Sequence, residues 1–172
     1  MSEIESINAL NADLFSSEEV DRFSDPKEAR KKAMDYLARR EYGQRELEQK
    51  LIAAGFASVI VTEAVGKLTG EGLQDDRRFI ENFVRSRISQ GKGPIRVHQE
   101  LGERGLNAGM IEAVLEDLAE DWYALARQVR DKKFGSGLPR EFKEKARQMR
   151  FLQYRGFDSG QIQAAVSPHS DD

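Results

Sequence analysis

Apolar residues in this chain recur at three- and four-residue intervals, the spacing that lines one face of a helix, and no stretch alternates as a half-buried strand would. The pattern is clearest over 75–106, DDRRFIENFVRSRISQGKGPIRVHQELGERGL. Phe79, Ile80, Phe83, Val84 and Ile88 share one helical face, with Asp75 or Asp76 as the expected N-cap. Gly91 is placed to close that helix in the left-handed conformation, and Pro94 pre-sets the first turn of the next. Val97 and Leu101 continue the apolar face as far as Gly105-Leu106.

The same unit occurs on either side. Superimposing Gly55, Gly105 and Gly156 aligns Leu51, Leu101 and Leu152 before them and Phe56, Leu106 and Phe157 just after. Val61, Ile111 and Ile162 then coincide, as do Val65, Leu115 and Val166. A spacing of about 50 residues signals a tandem array. Each copy predicts three helices. In the first copy they run over about 27–41, then, after a Tyr42-Gly43-Gln44 turn, through Leu47 and Leu51, and through Ile60 to Leu68. In the third they run over 121–134, about 140–154, and from an N-cap at Ser159. The linker Gly135-Ser136-Gly137-Leu138-Pro139 is longer than its counterparts and is a place to hinge. The expected fold is therefore all-α, three tandem three-helix repeats at 26–74, 75–119 and 120–166, forming an elongated, curved helical array. An acidic leader, 1–25, precedes them as an arm or a short amphipathic helix, and a tail follows at 167–172.

Charge refines this picture. The 172 residues carry a net charge of −3, but the leader holds seven acids against Arg22 alone, so the remainder is basic overall. Segment 77–104 has seven Lys/Arg against three acids, 127–155 has ten against three, and 107–121 has five acids and no base. Such sections attract and orient charged partners. Cysteine is absent, which excludes disulfides and thiolate metal sites. No secretory or membrane-spanning run is found, so a cytoplasmic location is expected.

Catalytic constellations are missing. The two histidines, His98 and His169, stand alone, and Gly91-Lys92-Gly93 lacks the Ser/Thr of a P-loop and serves better as a turn. A helix-turn-helix reading fails on its presumed recognition helices. Residues 57–66 and 108–118 offer no Arg, Lys, Asn or Gln to base edges, and only Gln161 and Gln163 in the third copy would suit. Neither enzyme activity nor a cofactor or metal is expected. The bases fall elsewhere, and a contact surface for an acidic partner or for phosphates is the functional reading they support.

Three runs, YLARREYGQRELEQKL (36–51), 75–106, and DWYALARQVRDKKFG (121–135), closely resemble the RecX family of RecA regulators. The most specific element is R-F-x(5)-R-S-R-x(3)-G-K-G-P, from Arg78 to Pro94. The resemblance implies a non-enzymatic modulator, mainly an inhibitor, that binds in the groove of the RecA–single-stranded-DNA filament. There it would restrain filament extension, strand exchange, ATPase and co-protease activity, and with them recombination and the SOS response. It implies contacts at Arg39, Arg40, Arg78, Arg85, Arg87, Lys92, Arg96, Lys132 and Lys133. Structural turns are expected at Tyr42, Gly55, Gly91, Gly93, Pro94, Gly105 and Gly156. The expected state is a monomer, with direct DNA binding weak. The competing reading is a nonspecific DNA-binding protein whose basic helices contact phosphates.

Overall fold

A computed structural model describes residues 22–168, all of whose regular elements are α-helices. The expected leader helix around Ile7, Leu10 and Leu14, like His169, lies outside these residues. The order is α1 (Pro26–Leu37), α2 (Gln44–Ala53), α3 (Ser58–Gly70), α4 (Asp76–Ser89), α5 (Pro94–Glu103), α6 (Ala108–Leu118), α7 (Trp122–Phe134), α8 (Phe142–Arg155) and α9 (Ser159–Ala165). The chain divides into two compact units, Met1–Asp76 and Arg77–Asp172.

In the first unit α1 and α2 both pack on α3. Ala29, Ala33, Leu47, Leu51, Val61, Val65 and Leu68 are fully buried between them, and Phe23 meets Phe56 edge-on at 5.2 Å. The first helix is shorter than its periodicity predicts. It ends at Leu37, so Arg39 and Arg40 lie in the turn to α2. Of the two acids expected to cap α4, Asp75 stands just before the helix, and Asp76 has a different role. Asp76 is the first helical residue, and its carboxylate accepts from the Gln44 backbone N–H (2.7 Å) and the Gln74 amide (2.9 Å). Asp76 thus satisfies an orphan amide of α2, which Gly43 has no side chain to cap.

The second unit contains two modules, α4–α6 and α7–α9, each around its own apolar cluster. Ile88 and Trp122 pack against both clusters, so the two modules share core side chains. The aligned turns have one geometry. Gly55, Gly105 and Gly156 have φ of 110°, 79° and 94°, and the next residue in each case donates back to Leu51, Leu101 or Leu152 at 3.2–3.3 Å. This is the Schellman closure, which needs a residue free to adopt positive φ.

The third module departs from the others in its core. Gln148 stands where Leu47 and Val97 are buried, and its Oε1 has no hydrogen-bond partner among the described residues. The N-cap of α9 is Asp158, one residue before the expected Ser159; with Gln161 it forms a reciprocal capping box. Gln161 is buried in that role, which removes it from the side chains suited to base edges. The long linker is tied down rather than loose. The buried Arg130 guanidinium donates to the carbonyls of Gly135, Ser136 and Gly137 and is neutralised by Asp131.

Candidate interaction surface

The Gly-Lys-Gly-Pro turn links α4 to α5 and packs against the other module of the second unit. Pro94 starts α5 and has no N–H to satisfy. Gly93 and Ile95 donate to the carbonyls of Arg155 (2.9 Å) and Gly156 (3.0 Å), so the start of α5 pairs with the end of α8. The approach admits no side chain on either glycine: a Cβ on Gly93 would overlap the Gly156 carbonyl, and one on Gly156 would overlap Arg96. Two arginines brace the junction. Arg96 donates to the Tyr154 carbonyl (3.1 Å) and Arg155 to the Gln90 carbonyl (2.9 Å).

Around this turn three of the anticipated contact cations converge on one carboxylate. Glu100 accepts from Arg87 Nε (2.6 Å), Arg96 Nε (3.0 Å) and Lys92 Nζ (3.5 Å). Burial alone would raise the Glu100 pKa, but hydrogen bonds from Arg87 and Arg96, with the charge of Lys92, hold it at about 2. Arg87 also lies over the Phe83 ring at 4.1 Å, as does Arg104 at 5.2 Å. Arg87, Arg96, Glu100 and Arg104 line a cleft of about 700 Å³. The sequence marks the cations but not their common acceptor. The Arg96–Glu100 spacing of four, a helical ion-pair interval, is the signal that could have found it.

The remaining predicted residues are distributed over both units. Arg40 is committed locally: it pairs with Glu46 (2.6 Å), stacks on Tyr42 (3.6 Å), and its pKa is raised, first of all by the Glu46 hydrogen bond. Arg78 is half-buried on α4. Arg39 and Arg85 are exposed and form no ion pair among the described residues. Lys132 and Lys133 project from the last turn of α7, where the helix dipole favours cations. They border a second cleft, of about 590 Å³, floored by Ile88, Val129 and Phe151. His98 meets Glu112 at 2.8 Å on the surface. Among the described residues no group of His, Asp and Glu is arranged to hold a metal, and no helix is long and apolar enough to cross a membrane.

Repeated three-helix modules, with cations arrayed on their turns and outer faces, define a helical-repeat protein built around surfaces. Family comparison makes the class particular. Residues 29–68, 75–115 and 119–166 match, in order, the first, second and third three-helix domains of RecX. The chain belongs to the RecX family of regulatory proteins. It is similar to the regulatory protein RecX of Halorhodospira halophila, 47% identical over 140 residues, covering 81% of this chain and 87% of that protein. The RecX of Pseudomonas entomophila is 40% identical over 142 residues, covering 83% and 92%. Two RecX crystal structures share the fold. That from Lactobacillus salivarius has a TM-score of 0.70 at 19% identity, covering 86% of this chain and 96% of its own. A second has a TM-score of 0.71 at 22% identity, covering 96% and 78%.

Proposed function

We propose that this protein regulates RecA without catalysing a reaction, by lodging its modules in the groove of the RecA–single-stranded-DNA filament as a monomer. Family membership supplies the partner. The observation that carries the reading is the set of exposed cations outside the internal ion pairs, among them Arg39 and Arg85. Repeated modules on one chain that engage successive filament subunits gain by multivalency, and an occupied groove excludes incoming duplex or a repressor substrate. The consequence is slower filament extension, strand exchange, ATP hydrolysis and co-protease action. That places the protein among the cytoplasmic brakes on recombination, DNA repair and the SOS response.

The internal ion pairs decide which positions suit a test. A charge reversal at Arg87 would set a second carboxylate beside Glu100 and disturb the fold. Arg39→Glu combined with Arg85→Glu instead changes two exposed side chains. Wild-type protein should inhibit RecA ATPase at sub-stoichiometric amounts near ~150 mM salt, where screening is ~8 Å. The double variant should keep its helicity and lose at least about tenfold in potency, roughly 1.4 kcal/mol. Inhibition that merely follows competition for naked DNA would transfer the reading to nonspecific phosphate binding.

A further inference from the structure

The outer face of α8 carries a constellation of cations and a ring that goes beyond the contacts named above. Lys143, Arg147, Arg150 and Tyr154 are all exposed. Their spacing of four, three and four places them within about 60° of one another, along a stripe about 17 Å long. The opposite side of the helix buries Gln148 and Leu152. Residues 140–155 hold six bases and two acids within a chain of net charge −3. Lys143 and Arg150 form no ion pair among the described residues. Arg147 reaches Glu144 only at 3.5 Å and lies over the Phe134 ring at 5.2 Å.

Two aromatic rings stand exposed on this helix, Tyr154 at one end of the stripe and Phe142 about 100° around the helix from Lys143. Phe142 is 88% exposed and Tyr154 75% exposed. Tyr154 is held in place: the Arg96 guanidinium lies over its ring at 5.4 Å and bonds its carbonyl. It also borders the Arg87–Arg96–Arg104 cleft, so the cationic surface continues beyond the stripe. A solvated charged face would account for the lysine and arginines but not for two large rings left in water. An acidic protein surface would likewise match the cations and leave the rings unused. Unpaired nucleotides answer to both features, since cations track the phosphates while bases stack on aromatic faces.

We propose that the outer face of α8 binds single-stranded nucleic acid, with Lys143, Arg147 and Arg150 on successive phosphates and Tyr154 stacking a base. The assignment stands on α8 itself and holds whatever protein partner the chain has. Its test is fluorescence anisotropy of a labelled fifteen-residue oligothymidylate with the full-length protein at low salt. Saturable binding is expected, and Lys143→Ala with Arg150→Ala should lower affinity at least about tenfold. The same pair should reduce the salt slope by about 1.4, at ~0.7 per phosphate released on a single strand. Tyr154→Ala should weaken binding about 5- to 100-fold with the slope unchanged, and Tyr154→Phe should restore it. All four positions are exposed, so circular dichroism should be the same for every variant. Three outcomes overturn the proposal: no binding by the wild type, variants that bind as the wild type does, or polyglutamate displacing the strand with equal sensitivity to the basic residues and none to Tyr154.

Discussion

At Glu100 one carboxylate serves three cations, and its protonation governs the local charge balance. Its ordinary pKa of 4.5 falls to about 2 in the folded protein, so the folded state holds the charged form more strongly than the unfolded state does. The stability this contributes is fully present above about pH 4.5 and is lost as pH falls toward about 2. Glu100→Gln should therefore cost about 1–2 kcal/mol at pH 7. The gap between variant and wild type should narrow at pH 3, as read by urea midpoints. A gap independent of pH would mean the ion cluster is not its source. Arg87, Lys92 and Arg96 also follow from this residue: they are shaped by an internal partner before any external one.

Among the elements, the join between α5 and α8 is a backbone contact. It forms because two glycines let a helix start and a helix end exchange hydrogen bonds with no side chain between them. Gly93→Ala should destabilise the second unit by about 1–3 kcal/mol, because the added methyl displaces the Gly156 carbonyl. Gly102→Ala in the same helix meets nothing within 4 Å. It should stabilise by about 0.5–1 kcal/mol through helix propensity and a less flexible unfolded chain. Denaturant titrations of the two variants thus have opposite expected signs. Equal signs would refute the close-approach account of the Gly-Lys-Gly-Pro turn. The motif Arg78 to Pro94 holds its arginines and its glycines for different reasons, and only the glycines answer to packing between modules.

The whole molecule has two units, and within the second the modules share Ile88 and Trp122. Trp122 is the only tryptophan in the chain, so its fluorescence reports on both clusters at once. Leu101 and Leu152, in different modules, are both fully buried. Leu101→Ala and Leu152→Ala should each cost about 2–5 kcal/mol and move the midpoint of the same Trp122 transition. Two separate transitions, with only one variant affecting the tryptophan signal, would show that the modules of this unit melt independently.

The linear pattern determined the helical class, the three copies and the aligned cores, because a period of three to four residues specifies an apolar face whatever lies beyond it. It also placed the turn glycines, since a helix closing in the left-handed conformation has few alternatives. Helix ends were less legible: Leu37 ends α1 early, Asp158 displaces Ser159 as a cap, and Asp76 reaches across to cap α2. Such positions depend on which groups are near in space. The same holds for Arg130, 3% exposed and holding a linker that reads as loose, and for Glu100, which gathers three of the anticipated contact residues. Sequence lists charges; only the tertiary structure decides which are already spent on one another and which, like Arg39, Arg85 and the α8 stripe, remain turned to solvent.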